Sequence, residues 1–237
     1  MQELELAMAD GKGKVWLARP EGRPRGGVIL YMDAFGPRAS LRGMAERMAG
    51  WGYLVALPDL FYRFGPYGPF DAATAFSDPE KRAQLMGMIQ GTSQDQTVAD
   101  TAVVLGLLEG PVATVGYCMG GARAMNAASA HAGRIVAAAS FHGGNLASDA
   151  PDSPHRRLSN RVRVHVASAG EDRSFPPEQS ARLAQALREA GVDHMIENYP
   201  GCAHGWCVPD HAVYDAKGSE RHFRRLETLF AETLTTG

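Results

Sequence analysis

The sequence contains little cysteine, little net charge and no long apolar run, and each shortage argues against a class of protein. Only three of the 237 residues are cysteines, and this odd number leaves at least one thiol unpaired in the monomer. Such usage fits a reducing compartment better than a disulfide scaffold. The net charge is −2 at pH 7 and the basic residues are scattered, so we expect no nucleic-acid partner.

No segment is long and apolar enough to span a bilayer, so we expect no membrane partner. The first residues, MQELELAMADGKGK, carry acids and glycines where a secretory signal has a basic start and an apolar stretch. We therefore expect a cytoplasmic protein. Hydrophobic residues make up 45% of the chain, enough for an apolar core, and no linker-like break divides it. We predict one domain over residues 1–237, as a monomer or a weak homo-oligomer.

Strand-like apolar segments alternate with amphipathic helical segments along most of the chain. Two short segments, LELAM and KVWLA, flank an Asp-Gly turn at Asp10 and predict an N-terminal β-hairpin. Further strands are predicted at GVILYM, YLVALPD, VATVGY, IVAAASF, RVRVHVASAG and HMIENYP, and helices over 41–50, 79–89, 97–108, 119–130, 177–190 and 216–234. This alternation predicts an α/β fold, with a mostly parallel sheet flanked by helices. Ligands bind beyond the carboxyl ends of the strands in such sheets.

The segment Gly116-Tyr117-Cys118-Met119-Gly120-Gly121 joins a predicted strand to a predicted helix through a G-x-C-x-G turn. This pattern is typical of a nucleophile elbow, in which the strained central residue stands above the sheet and its neighbours are glycines because a Cβ would collide. The thiol of Cys118 would lie at a helix N-terminus, which favours a thiolate. The alternative is that the glycines only permit close strand-to-helix packing and Cys118 fills a gap.

Two later residues complete the pattern in the chain order that this kind of fold uses, with the acid before the histidine. Asp172 follows RVRVHVASAGE and His204 follows IENYPGCA, each at the end of a predicted strand. Glu171 is adjacent to Asp172, and the spacing favours Asp172. Among the other histidines, His155, His211 and His222 are interpreted as loop residues, His165 as strand packing, and His142 as a residue that could line the pocket.

These segments resemble the dienelactone hydrolases, a family of α/β-hydrolases whose elbow is typically G-[FY]-C-x-G-G. The resemblance runs from about Gly27 to the last helix. Besides the elbow, four segments carry it, namely Met32–Gly36, Leu57–Phe61, Ala169–Asp172 and Ala203–Trp206. It implies that Cys118 is the nucleophile, Asp172 the acid and His204 the base.

The resemblance further implies that the backbone N–H groups of Ala34 and Met119 form the oxyanion hole, which is a large part of such catalysis. The implied reaction is hydrolysis of a small ester or lactone through an acyl-enzyme, with no metal and no organic cofactor. A cysteine enzyme of this kind should favour good leaving groups over amides.

The sequence departs from the family at two positions. Asp33 replaces the glutamate that interacts with the resting thiol, and Val208 replaces an arginine that holds the substrate carboxylate. An apolar valine cannot replace the directional pair between arginine and carboxylate, so we expect a less anionic substrate. Arg38, Arg63 or Arg82 could supply another cation, although each is more simply interpreted as a solvated surface arginine.

Aromatic residues cluster in the loops expected near the site and could form the wall of an apolar pocket, unless they only pack the core or a lid. They are Phe35, Phe61, Tyr62, Phe64, Tyr67, Phe70 and Trp206. The predicted substrate-binding or thiol-modulating residues are Asp33, Phe35, Tyr62, Arg82, His142 and Trp206.

Three alternatives stay open from the sequence. The enzyme could be a broad carboxylesterase or thioesterase for small apolar acyl groups. Cys118 could be a redox-sensing thiol on a non-catalytic scaffold, because an accessible thiolate is also oxidisable. Finally, Cys202-x-His204-x-x-Cys207 contains zinc-type ligands, although the spacing matches no common structural zinc site.

Overall fold

The structure of the protein, a computed structural model that describes residues 1–234, contains one sheet surrounded by helices. Residues 235–237, the end of the predicted domain, lie outside the described residues. The strands are β1 (Gln2–Met8), β2 (Gly11–Ala18), β3 (Gly27–Tyr31), β4 (Leu54–Pro58), β5 (Val112–Tyr117), β6 (Ile135–Phe141), β7 (Arg163–Glu171) and β8 (His194–Ala203). The helices are α1 (Ala39–Gly50), α2 (Pro79–Gly91), α3 (Gln94–Leu105), α4 (Met119–Ala130), α5 (Pro177–Glu189) and α6 (Ala216–Thr233).

The strands are ordered β1-β2-β4-β3-β5-β6-β7-β8, and every pair from β4 to β8 is parallel. The two N-terminal strands form the predicted antiparallel hairpin, and β2 continues antiparallel along β4. All residues of β3, β4 and β5 are buried, as expected for strands covered by helices on both faces. The predicted α/β fold class is therefore confirmed.

The chain leaves β3 toward one side of the sheet and later returns to pair on its other side. This change of direction predicts a crevice at the carboxyl end of β3. From β3 the chain moves to β4 on one side, and later to β5 on the other side. The loops that follow β3 and β5 therefore diverge, and such a switch point is where open α/β sheets bind ligands. The two loops carry Ala34 and Cys118, which both belong to the predicted site.

Local hydrogen bonds explain where several elements begin or end. The capping box formed by Ser93 and Gln96 starts α3 three residues before the predicted position at Thr97. The strand β8 extends to Ala203, through part of the predicted loop, because a register shift after Ala169 lets Glu171 pair with Ala203.

The interpretation of His222 as a loop residue was wrong. It lies in α6, is fully buried, and its Nε2 is 2.8 Å from the hydroxyl of Tyr117 at the end of β5. Burial lowers the pKa of His222 to about 3. The imidazole is therefore neutral and links the last helix to the strand that leads into the elbow. His165, in contrast, lies in β7 and is buried against Phe141, as predicted.

No helix among residues 1–234 combines the length and the apolar character needed to cross a membrane.

Candidate active site

Cys118 lies at the strained turn between β5 and α4. Its backbone has φ 55° and ψ −119°, a left-handed conformation that residues other than glycine rarely adopt. A Cβ added to Gly116 would overlap the carbonyl oxygen of Gly120, and a Cβ on Gly120 would collide with the backbone of Tyr31 and Met32. The structure therefore confirms both physical features predicted for the elbow. The side chain of Cys118 is half-buried at the N-terminus of α4.

His204 follows β8, and its Nδ1 lies 2.7 Å from Oδ2 of Asp172, which follows β7. The other carboxylate oxygen of Asp172 accepts hydrogen bonds from the backbone N–H of Ser174 at 2.9 Å and from its hydroxyl at 2.6 Å. Burial would raise the pKa of Asp172, but the hydrogen bonds from His204 and Ser174 outweigh it and lower that pKa. Asp172 is therefore a charged acceptor for the imidazole, whereas its neighbour Glu171 is exposed.

Ser174 was not predicted from the sequence. It follows Asp172 by two residues, a spacing at which an aspartate commonly accepts from the backbone. That pattern could have identified its backbone contact, but not the contact of its hydroxyl.

The side chain of Cys118 is near enough to the imidazole of His204 to influence its pKa. Burial would lower the pKa of His204, but the neighbouring Cys118 and the hydrogen bond to Asp172 outweigh it and raise that pKa to about 10. The imidazole of His204 can therefore hold a proton while it lies between Asp172 and Cys118. Cys118, Asp172 and His204 directly follow β5, β7 and β8, at the same end of the parallel strands, although 86 positions separate the first from the last.

The two predicted oxyanion donors lie on opposite sides of the switch point. Ala34 follows β3 and is fully buried, and Met119 is the first residue of α4. Neither backbone N–H donates a hydrogen bond to residues 1–234. Buried amides are usually paired, so a buried donor without a partner, such as that of Ala34, can accommodate an oxyanion.

A polar group beside Ala34 is already fully paired; we call Asp33, Arg38, Asp210 and His211 the Arg38 cluster. The guanidinium of Arg38 binds both oxygens of Asp33, at 2.6 and 3.0 Å. It also binds both oxygens of Asp210, at 2.6 and 2.8 Å. The fifth N–H faces the carbonyl of Gly36 at 3.4 Å, so all five N–H donors of Arg38 are directed at acceptors.

Asp33 is fully buried, and each of its oxygens accepts two hydrogen bonds. Besides Arg38, the partners are the backbone N–H of Phe35 at 3.0 Å and Nε2 of His211 at 3.0 Å. Burial would raise the pKa of Asp33, but the bond from His211 and the charge of Arg38 outweigh it and lower that pKa. The structure thus directs Asp33 to the Arg38 cluster, where it orders the loop that carries Ala34.

Two of the three arginines predicted to be solvated are not. The side chain of Arg38 is only 15% exposed, and that of Arg63 is 10% exposed between Asp10 and Asp100. Arg38 pairs with Asp210, 172 positions away, and Arg63 pairs with Asp100 of α3, 37 positions away. The sequence could not reveal pairs over such separations. Arg82 is exposed on α2, as predicted for a surface arginine.

The predicted aromatic residues separate into a lining set and a packing set. Phe35, Tyr62, Tyr67 and Phe70 line a cavity of 710 Å³ together with Trp16 and Arg38, although its lining includes neither Cys118 nor His204. Phe61 and Trp206 are fully buried, and Phe64 is exposed outside this cavity. The indole of Trp206 packs on Tyr199, with ring centroids 4.7 Å apart, and offers no surface to a ligand.

His142 follows β6 and approaches the elbow from the neighbouring strand. Its Nδ1 lies 3.1 Å from the backbone nitrogen of Cys118, and its ring centroid is 4.9 Å from that of His204. The side chain is buried, so it does not line an open pocket. Cys202 lies half-buried beside Gly218, and Cys207 is fully buried. Among residues 1–234 no group of three or more histidine, cysteine, aspartate or glutamate side chains could hold a metal ion.

The mostly parallel sheet, the strained elbow and the histidine that follows the last strand define an α/β-hydrolase. The family model described as the dienelactone hydrolase family matches residues 14–234, and the chain belongs to this family.

Known relatives and solved structures agree with this assignment. A Synechocystis sp. protein named "Putative carboxymethylenebutenolidase" is 26% identical over 218 residues, which cover 87% of this chain and 86% of that protein. A crystal structure titled "Putative Dienelactone Hydrolase" from Klebsiella pneumoniae has a TM-score of 0.81 at 23% identity, covering 97% of both chains. A carboxyl esterase from Bacillus coagulans has a TM-score of 0.70 at 13% identity, covering 99% of both chains. The two structures show the shared fold.

Proposed function

We propose that the protein hydrolyses a small, uncharged ester or lactone, with Cys118, His204 and Asp172 as its catalytic triad. The observation that carries this proposal is the position of His204, whose Nδ1 lies 2.7 Å from Oδ2 of Asp172 and whose pKa is raised by the neighbouring Cys118. Nucleophile, base and acid in this arrangement are what acyl transfer requires.

In the first half of the reaction the thiolate of Cys118 attacks the carbonyl carbon of the substrate. The carbonyl oxygen becomes an oxyanion and accepts hydrogen bonds from the N–H groups of Ala34 and Met119. The tetrahedral intermediate then collapses, the bond to the alkoxy group breaks, and His204 donates its proton to the departing oxygen. The product of this half is a thioester on Cys118.

In the second half His204 takes a proton from water, which attacks the thioester carbonyl. The same two amides stabilise the second oxyanion, and the carbon–sulfur bond breaks to release the acid and the thiolate. Asp172 keeps the imidazole in the tautomer and orientation that both halves need. At the end of the cycle Cys118 is again a thiolate and His204 is again protonated.

The Arg38 cluster supports an uncharged substrate. A substrate carboxylate needs a cation with free N–H donors, but those of Arg38 are directed at Asp33, Asp210 and Gly36. Val208, at the position of the family arginine, is buried and apolar. The two carboxylates and one guanidinium leave a net negative charge at this side of the site, which repels an anion.

The names of the relatives favour a lactone, and a thiol nucleophile favours activated esters in general. A broad carboxylesterase or thioesterase uses the same three residues, so only the substrate distinguishes it from a lactonase. A redox-sensing thiol, in contrast, has no need of the pair formed by His204 and Asp172 or of two open amides.

The test compares hydrolysis of p-nitrophenyl acetate, p-nitrophenyl butyrate and a neutral enol lactone by four proteins. These are the wild type, Cys118→Ala, His204→Ala and the matched cysteine control Cys202→Ala. We expect kcat/KM to fall at least about 10³-fold in the first two variants and to change less than about threefold in the control. Hydrolysis that survives in Cys118→Ala refutes the proposed nucleophile.

A further inference from the structure

The second histidine at the elbow, His142, has no part in the mechanism above, although its ring lies against both Cys118 and His204. We propose that His142 is a positioning residue that fixes the backbone of Cys118 by accepting its N–H at Nδ1, as a neutral imidazole protonated at Nε2. This inference depends on the proposed role of Cys118 as nucleophile.

Hydrogen bonds tie His142 to two strands besides its own β6. Its own backbone N–H donates to the carbonyl of Ala167 in β7 at 2.9 Å. Its φ is 41°, a left-handed value that turns the ring back from the end of β6 toward the end of β5. There Nδ1 accepts from the N–H of Cys118 at 3.1 Å, and the same N–H is 3.2 Å from the carbonyl of Phe141. His142 thus connects β7 with the elbow.

The hydrogen bond fixes the tautomer. A backbone N–H can only donate, so Nδ1 must be unprotonated and the ring proton must be on Nε2. Within residues 1–234, Nε2 is buried and has no hydrogen-bond partner. Burial, together with the nearby charge of His204, lowers the pKa of His142 well below its ordinary value, which agrees with a neutral ring.

The hydrogen bond from the N–H of Cys118 to His142 matters for catalysis because it lies at the strained turn of the elbow. Cys118 adopts an unfavourable φ of 55°, and such strain persists only where surrounding contacts hold the residue in place. The next N–H along the chain is the oxyanion donor of Met119. A change in the backbone of Cys118 therefore moves the sulfur and this donor together.

The neutral state of His142 also matters for the reaction, because three other aromatic or imidazole rings lie close to it. His204 lies 4.9 Å away, Trp206 5.3 Å and His211 6.4 Å between ring centroids. A second positive charge at His142 would oppose the protonation of His204, which the reaction requires.

Three substitutions distinguish the contribution of Nδ1 of His142 from that of Nε2. His142→Asn keeps an acceptor at the position of Nδ1 and has no group at Nε2, whereas His142→Gln places its amide at the position of Nε2. His142→Phe keeps a ring without either nitrogen, and His194→Gln is a control on the edge strand β8. The readouts are kcat and KM for p-nitrophenyl acetate, the rate of the acylation burst, and the thermal melting temperature.

We expect kcat and the burst rate to fall roughly 10-fold to 100-fold in His142→Phe and His142→Gln, with KM little changed. His142→Asn should recover activity to within about threefold of the wild type, and the control should not change. Equal losses in the Asn and Phe variants, or full activity in the Phe variant, would overturn the proposal.

A measurement on the unaltered enzyme covers the case in which a variant fails to fold. Imidazole nitrogen chemical shifts should show His142 as the Nε2–H tautomer, unchanged between about pH 5 and pH 9. An Nδ1–H tautomer, or titration in that range, contradicts the proposal. An active Cys118→Ala variant overturns the proposed function and with it this role. An inactive Cys118→Ala beside a fully active His142→Phe overturns this inference alone.

Discussion

The proposed triad and the Arg38 cluster lie at neighbouring strand ends of one sheet, yet they differ in how much hydrogen-bonding capacity they leave unused. Around Cys118, the N–H groups of Ala34 and Met119 donate to no residue among 1–234. In the Arg38 cluster, all five donors of the guanidinium and both oxygens of Asp33 have partners. The difference agrees with the proposal that the first region binds the reacting carbonyl group, whereas the second holds its loops in place.

The Arg38 cluster connects the loop after β3 with the loop after β8, and both loops carry residues of the proposed site. Asp33 and Arg38 belong to the loop after β3, which carries Ala34, whereas Asp210 and His211 follow His204 in the chain. The contacts of Arg38 with Asp210 and of His211 with Asp33 therefore hold the loop after β3 against the loop after β8. Four substitutions or conditions test this division of roles.

The largest expected effect comes from removing the charge that orients His204. Asp172→Asn should lower kcat/KM by about 10³-fold to 10⁴-fold, because the amide stabilises the wrong tautomer of the imidazole. The matched control is Glu171→Gln, the exposed neighbour, which should retain wild-type kcat/KM for p-nitrophenyl acetate. A loss confined to the Glu171 variant would assign the acid to the other carboxylate.

The next effect is on stability and comes from breaking the Arg38 cluster. Arg38→Met leaves the fully buried Asp33 without its cation, and we expect the free energy of unfolding to fall by about 3 kcal/mol. Arg157→Met removes an exposed pair with Asp95 and should cost less than about 1 kcal/mol. Urea unfolding followed by circular dichroism measures both, and equal losses would show that the cluster is no more than a surface ion pair.

A smaller effect concerns selectivity between charged and uncharged substrates. Asp210→Asn removes one negative charge and weakens the hydrogen bonds between residue 210 and Arg38. The guanidinium therefore becomes available to a substrate carboxylate. We expect the ratio of kcat/KM for a p-nitrophenyl hemisuccinate to that for p-nitrophenyl butyrate to rise roughly fivefold to tenfold. Asp149→Asn, at an exposed ion pair with Arg182, should leave this ratio unchanged. An unchanged ratio in Asp210→Asn would argue against the cluster as the source of selectivity.

The smallest effect is the dependence of stability on acid. The folded pKa of Asp33 lies below its ordinary value of 3.8, so its contribution to stability is present above that pH and is lost as the pH falls through the lower folded value. We expect the free energy of unfolding to decrease below about pH 4, with a slope that Asp33→Asn reduces by at most about 1.4 kcal/mol per pH unit. Urea unfolding at several pH values measures the slope, and Asp149→Asn should keep the wild-type slope. Parallel curves for wild type and Asp33→Asn would contradict the ion pair.

The sequence predicted the features that depend on local pattern or chain order. The positions of the strands, the elbow glycines and the order of Cys118, Asp172 and His204 follow from periodicity and from steric limits at a tight turn. Partners joined across the fold had no such signal. Arg38 and Asp210 are 172 positions apart, and the N–H of Cys118 meets a ring that belongs to another strand. The cluster and the role of His142 therefore required the structure.

The hydrogen bond between Tyr117 and His222 couples the elbow to a helix that supplies no member of the proposed triad. Tyr117 immediately precedes Cys118, and its partner belongs to α6, 105 positions later in the chain. A substitution that displaces α6 therefore deprives the residue before Cys118 of its buried hydrogen-bond partner, although it lies outside the proposed site.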